Sequence, residues 1–365
     1  MNKYILKYRN NEIQYPSWLA TMNISAPSEV TDKLSKFIKK SELEYIDIDH
    51  ISYYESICNH FKKEFNVSIN PNGIINIPTT MYGVNKIIKF VTEGYHKNSI
   101  AVFSPIFPEY KLNKRVSFCE SKLIPNLEKN RYEIDWDNLK KIICKNKISA
   151  ILLCNPHNPT GKVFSLDELT KIIQIAKKYN IWVISDEVFS DFSNLKFYPL
   201  ISTFDYKKIV SLYSPSKTYN ITGIRSSYLI SYNKQLNEFM RDEISNDGLE
   251  SPNIISVVST ILGYKYGSKW KGEVKTIIDE NVKLIKNMFP DSISPEGGIY
   301  FWVNALSNIA DMKSDLKRNG IKVSLGKKYG KEYTNNFRMN TVDSTRNIEY
   351  IMKHIKEIDD VIDTF

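Results

Sequence analysis

Lys217 sits in the stretch Ser214-Pro215-Ser216-Lys217-Thr218-Tyr219-Asn220, just past the apolar run Ile209-Val210-Ser211-Leu212-Tyr213. A lysine among small hydroxyls at the end of a buried strand has a specific chemical use. Its amine can form a Schiff base to an aldehyde while the hydroxyls donate hydrogen bonds to a phosphate on the same molecule. Two further apolar runs end in polar clusters, Asn155-Pro156-His157-Asn158-Pro159-Thr160-Gly161 and Ser185-Asp186-Glu187. An amide, a carboxylate and a lysine at three strand ends suit an electron-sink pyridine cofactor. Asp186 would stabilise the protonated ring nitrogen, and the side chain of Asn158 would donate to the ring 3-oxygen. Lys217 would hold the aldehyde and, once displaced by a substrate amine, shuttle the alpha proton. Arg225 follows Lys217 by eight residues and carries the planar fork that grips a phosphate. Each residue also has a plain reading: a loop lysine, a strand-end cap, turn-capping serines, a surface arginine. Their concurrence at three strand ends favours the site. His157 reads as a turn residue without a catalytic role.

The elements that must position these groups alternate along the chain. Ile74–Ile77, Ile100–Phe103, Ile148–Cys154, Ile181–Ile184, Ile209–Tyr213 and Ser227–Ile230 read as strands. Ile148–Cys154 is apolar on both faces, as strands buried beneath helices on both sides require. Between the strands lie helical patterns at Ser52–Phe65, Tyr82–Gly94 and, after the capping box Ser165-Leu166-Asp167-Glu168, up to about Tyr179. Repeated alternation predicts an α/β fold with a right-handed, mostly parallel sheet, whose sites lie at the carboxyl ends of its strands. Residues 1–45 are polar and aromatic with a short helix at Val30–Ser41, and read as an arm. After residue 240 the pattern changes to a helix-prone stretch, Ile254–Met288, then Gly297–Val303 and an amphipathic helix at Asn347–Ile362. The expected division is 1–45, arm and part of the small domain; 46–240, a large domain; 241–365, a small α+β domain.

With 365 residues, 42% of them hydrophobic, the chain can bury a sizeable core, and 25% charged residues argue against long disorder. The net charge of +9 comes from 50 Lys and Arg against 41 Asp and Glu. These lysines are scattered and no nucleic-acid-binding pattern accompanies them, so a nucleic-acid partner is not expected. Cys58, Cys119, Cys144 and Cys154 form no CxxC pair, and the five histidines show no ligand spacing, so neither disulfides nor a metal site are expected. Met1-Asn2-Lys3-Tyr4 does not open a signal peptide, and no run approaches the ~18–20 apolar residues of a membrane span. A soluble, cytoplasmic protein is expected.

Taken together, Asn155–Gly161, Ser185-Asp186-Glu187 and Ser214–Gly223 resemble fold-type I pyridoxal-phosphate enzymes of the class I/II aminotransferase superfamily. They most resemble the MalY/PatB branch of cystathionine β-lyases, the C–S lyases. Trp18-Leu19-Ala20-Thr21-Met22 is similar to that branch's N-terminal arm and Phe337-Arg338-Met339-Asn340 to its carboxylate-binding segment. The resemblance implies a three-layer PLP-transferase (aspartate aminotransferase-like) large domain, a smaller α+β domain, and a homodimer with the site near the interface. By position, it makes Lys217 the covalent anchor and Asp186 the partner of the pyridinium. Asn158 would contact the 3-oxygen and the substrate, and Ser214, Ser216 and Arg225 would hold the phosphate. Thr79, Thr80 and Met81 match a phosphate cradle at a helix N-terminus, Phe107 the ring-stacking aromatic, and Arg338 the group that binds a substrate's alpha-carboxylate.

Four positions depart from the branch. Phe189 stands where the branch has histidine and aminotransferases have tyrosine, and it cannot donate to the ring oxygen. Thr79 replaces a glycine. Ile46 falls where a partner-subunit tyrosine is expected, so Tyr45 beside it is the candidate substrate contact. Asn23 replaces an aspartate. The expected reaction is α,β-elimination from a sulfur-containing L-amino acid. An aminotransferase reaction uses the same residues. A specialised biosynthetic replacement or cyclisation is a further option, motivated by Phe189 and Asn23. A binding module with vestigial chemistry would not need Lys217, Asp186, Asn158 and Arg225 together.

Overall fold

The computed structural model describes residues 13–40, 43–50, 52–93, 98–305 and 312–362. Met1–Tyr4, Ser41 and Gly94, which enter the reading above, lie outside them. In chain order the strands among the described residues are β1 Tyr15–Pro16, β2 Ile74–Ile77, β3 Ser99–Ser104, β4 Ser117–Asn126, β5 Arg131–Ile134, β6 Ile148–Cys154 and β7 Trp182–Asp186. They continue with β8 Ile209–Tyr213, β9 Ser227–Ser231, β10 Tyr300–Asn304, β11 Ile321–Lys322, β12 Ser324–Leu325 and β13 Asn336–Asn340.

The large sheet has the order β2-β9-β8-β7-β6-β3-β4-β5. Neighbours from β4 through β3, β6 and β7 to β8 are parallel. The β8–β9, β2–β9 and β4–β5 pairs are antiparallel. The expected parallel core is therefore present, and both its ends carry antiparallel strands. Alternation along each central strand feeds two cores. Ile151, Leu153, Val183 and Ile209 face one, with Ile57 and Phe61 from helix Tyr53–Phe65 and Leu169 and Ile173 from helix Leu166–Tyr179. Ala150, Leu152, Trp182, Ile184, Val210 and Leu212 face the other, with Val84, Ile87 and Val91 from helix Thr80–Glu93. Both faces of the sheet are covered, which is why β6 is apolar throughout. Truncating a fully buried leucine of this kind, Leu152 for instance, costs about 2–5 kcal/mol.

Sequence reading passed over the β4–β5 hairpin and helix Trp136–Lys145 that follows it. The reason is visible in β4, Ser-Phe-Cys-Glu-Ser-Lys-Leu-Ile-Pro-Asn, which is largely half-exposed and lacks an apolar run. The expected stretch Ile254–Met288 forms two helices, Ile254–Tyr266 and Ser268–Met288, separated at Gly267. Gly263 and Gly267 both lie against the ring of Tyr219, where a Cβ would have no room. The chain end builds a three-stranded sheet, β10-β13-β12. It packs Phe301, Val303, Phe337 and Met339 against Ile285 and against Ile348, Ile351 and Ile355 of helix Thr345–Ile362. β1 pairs with β11, which attaches the N-terminal segment to this C-terminal part.

Candidate active site

Three adjacent parallel strands end side by side, and their first loop residues face one cavity of about 430 Å³. β6 delivers Cys154 and, through the following turn, Asn158. β7 ends on Asp186, and the short helix Pro215–Thr218 after β8 delivers Lys217. Phe107, Phe189, Thr79, Thr80, Met81, Ser214, Ser216, Arg225 and Ser227 also line the cavity. Ten sequence-nominated residues are thus brought together.

Asp186 is buried. Its Oδ2 accepts a hydrogen bond from the Tyr110 hydroxyl at 2.6 Å, whereas Oδ1 has no partner. Burial raises its pKa above the ordinary carboxylate value, opposed by the Tyr110 hydrogen bond, the Val188 backbone amide and the Lys217 charge. Lys217 Nζ donates to the carbonyl of Ala20 at 3.2 Å. Burial pushes its pKa down to about 8, with the Asp186 charge acting in the opposite sense. A lysine of that kind is a usable nucleophile near neutrality.

Arg338, on β13, does not line the cavity directly but reaches its edge through Asn158. Its Nη1 donates to Asn158 Oδ1 at 2.8 Å and its Nη2 to the Trp18 carbonyl at 2.6 Å. Because Oδ1 is the acceptor, the amide N–H groups of Asn158 remain for another partner. The guanidinium lies 3.9 Å from the centre of the Tyr300 ring, and its Nε is unpartnered. Phe189 meets Tyr300 edge-on at 5.5 Å.

Helix Thr80–Glu93 begins on the cavity, with Thr79 Oγ1 accepting from the Tyr82 amide. A helix start with free N–H groups favours an anion. The hydroxyls of Ser214 and Ser216 both donate to the Ser226 carbonyl, at 2.8 and 3.0 Å. Arg225 is exposed, and its φ of 57° places a non-glycine residue in the left-handed region. Such a conformation costs about 1–3 kcal/mol and concentrates at functional sites. His157 bonds Thr160 Oγ1 at 2.8 Å and the Phe103 carbonyl at 3.3 Å, and burial lowers its pKa to about 4. It is a neutral turn residue. Tyr45 lies away from the cavity and is 95% exposed. Asn23 also lies away from it, donating to Asp343 Oδ2 and the Pro16 carbonyl.

The residues that sequence reading missed either line the cavity or support these groups from outside it. Tyr110 had a signal, three positions after Phe107, and Ala20 lay in the arm segment Trp18–Met22; Cys154, Thr222 and Ser227 had none as site residues. Asn220, at φ 53°, accepts from the Met22 amide and donates to the Met22 and Ile24 carbonyls. Asn340 donates to the Leu19 and Thr21 carbonyls. These two asparagines tie the segment carrying Ala20 to both parts of the chain. Behind Lys217, Thr218 Oγ1 donates to Asp191 Oδ2 at 2.8 Å. Asp191 Oδ1 meets Lys271 at 2.9 Å and His60 at 3.2 Å, and Lys271 also meets Glu64 at 2.7 Å. Burial acts to raise Asp191, but His60 and Lys271 overcome it and hold the carboxyl well below its usual range.

Fold and site together define the class. A family model described as aminotransferase class I and II matches residues 18–355, and the chain belongs to that family. Among curated relatives, cystathionine beta-lyase PatB of Bacillus subtilis (strain 168) is 24% identical over 358 residues, covering 93% of this chain and 91% of its own. Tyrosine aminotransferase of Dictyostelium discoideum is 29% identical over 234 residues, covering 62% of this chain and 50% of its own. Cystalysin from Treponema denticola, whose crystal structure contains a pyridoxal 5'-phosphate cofactor, matches the fold with a TM-score of 0.88 at 22% identity. That match covers 99% of this chain and 96% of the cystalysin chain.

Proposed function

We propose that the protein is a pyridoxal-phosphate-dependent C–S β-lyase that cleaves a sulfur-containing L-amino acid to pyruvate, ammonia and a thiol, with uptake of one water. The observation that carries the cofactor reading is the unpartnered, buried Asp186 Oδ1 in a cavity shared with the Lys217 amine. A buried acceptor left open calls for a donor, and a ring N–H supplies one. The rest of the lining fits the same group: Phe107 for the ring face, and Thr79, Thr80, Met81, Ser214, Ser216 and Arg225 for the phosphate.

Pyridoxal phosphate, when bound, supplies an electron sink for the pair left at the substrate's alpha carbon. Lys217 would hold the aldehyde and, as a free amine, would take the alpha proton. Asp186 would keep the ring nitrogen protonated. Asn158, with its oxygen taken by Arg338, would have its N–H groups left for the ring 3-oxygen. Arg338 would bind the alpha-carboxylate with the donors it has left, and Ala20 of the Trp18–Met22 segment lines the same cavity. The lyase reading is supported by PatB, which matches over nearly the whole of both chains. An aminotransferase reaction is the second reading, favoured by the family and by the tyrosine aminotransferase relative.

A panel of L-amino acids, each with and without a 2-oxo acid, separates the two. Pyruvate and ammonia from cystathionine alone are expected, and turnover that requires the oxo acid would overturn the lyase reading. The proposal includes a homodimer, in which the exposed Leu43, Tyr45 and Leu249 are covered by the second copy and Tyr45 serves the partner's site. A cytoplasmic location belongs to the same reading. All four cysteines are free thiols, and no helix among the described residues is long and apolar enough to cross a membrane.

A further inference from the structure

We propose that Tyr110 is a positioning residue for this site. Its hydroxyl holds Asp186 by Oδ2 and thereby aims the single remaining oxygen, Oδ1, at the ring nitrogen; the proposal rests on the reading of the cavity as a pyridoxal-phosphate site.

An aspartate carboxyl rotates broadly about its last torsion, with both oxygens equivalent. At the end of β7 that freedom would cost precision, because Asp186 has another call on its charge. Lys217 shares the cavity and attracts it. If the carboxylate turned to the amine, two groups intended for opposite ends of the pyridine ring would pair with each other. The Tyr110 hydroxyl, at 2.6 Å, gives Oδ2 a neutral partner, and a carboxyl that swung toward the amine would strain that bond.

The tyrosine is itself firmly placed. It is 3% exposed, within the short turn Pro108–Leu112, and packs edge-on against Phe107 with ring centres 5.3 Å apart. A single turn after β3 thus carries both the ring that stacks on the cofactor and the hydroxyl that holds its counter-charge. Burial and the neighbouring Asp186 charge push the Tyr110 pKa far above the ordinary phenol value, so it remains a donor at working pH. Cys154, the other titratable neighbour, also lies within hydrogen-bonding reach of the Tyr110 hydroxyl. Burial and then the Asp186 charge raise its pKa, so it stays a thiol, and its Sγ is turned to the Pro156 carbonyl.

This arrangement also addresses Phe189. The cavity has no hydroxyl there to donate to the 3-oxygen, so control of the ring's charge falls more heavily on the Asp186 end. Removing the Tyr110 hydroxyl should therefore alter how the cofactor is held and how its proton titrates, and not merely loosen packing.

The test is a double-mutant cycle on the full chain, with equilibrium binding of pyridoxal phosphate and pH titration of its bound absorbance as readouts. Tyr110→Phe is expected to weaken cofactor binding roughly tenfold or more, the scale of a hydrogen bond to a charged group, and to shift the titration. In an Asp186→Asn background the same change should matter less than about twofold, because no carboxylate is left to aim. Equal losses in both backgrounds would mean that Tyr110 only packs, and would overturn the proposal. So would a Tyr110→Phe protein whose binding and titration match those of the wild type. A wild-type protein that takes up no pyridoxal phosphate would overturn the cofactor reading itself, and this proposal with it.

Discussion

Lys217 is the residue whose environment makes the sharpest chemical statement. Only its neutral amine attacks an aldehyde, and burial lowers its pKa to about 8. The rate at which the cofactor-free chain captures pyridoxal phosphate should therefore rise with pH, with its half-rise near 8, measured by stopped-flow absorbance. A half-rise near the ordinary lysine value of about 10.4 would show that burial is not acting on this amine. The identity of Lys217 was legible from its hydroxyl neighbours, as were Asp186 and Asn158 from the strand ends they follow. Which oxygen of Asp186 is free, and which atom of Asn158 Arg338 takes, was not. Those depend on Tyr110 and Arg338, whose partners lie 76 and 180 positions away.

Among elements, the short helix Pro215–Thr218 cannot hold itself in place: four residues make a single turn. Its anchor is Asp191, which joins Thr218 to Lys271 and His60 in a buried cluster. Asp191→Ala should lower stability by about 3–5 kcal/mol, because it strips a partner from buried Lys271 and leaves only Glu64. Denaturant midpoints measure this, and a loss below 1 kcal/mol would show that the cluster is not an anchor. The sign with pH follows from a carboxyl held below its unfolded value. The stabilisation is complete above about pH 4 and drains away as pH falls toward the folded value. Short motifs identified Lys217, but no local pattern links His60, Asp191 and Lys271. The β4–β5 hairpin was missed for a related reason: its half-exposed strand carries little periodic signal, and its pairing with β3 is settled by distance in space.

For the whole molecule, an apolar group left exposed beside an ordered backbone asks for a cover. Leu43 and Tyr45 are 55% and 95% exposed, yet the neighbouring Ile46 is fixed by hydrogen bonds between its backbone and Ser251. Replacing Leu43 and Leu249 together by aspartate should shift the protein from dimer to monomer in analytical ultracentrifugation, and reduce turnover by tenfold or more if Tyr45 serves the partner's site. A wild-type protein that sediments as a monomer would defeat the dimer reading.

By itself the sequence determined the alternating α/β architecture, the strand ends that carry chemistry and the family those motifs resemble, because periodicity and turn chemistry act over a few residues. Tertiary structure alone decided the antiparallel ends of the sheet and the tethering of the Trp18–Met22 segment by Asn220 and Asn340. It also decided the partner that leaves one oxygen of Asp186 open. Each of these is a contact between distant parts of the chain, set by packing and by the need to satisfy buried polar groups, and no local spacing encodes it.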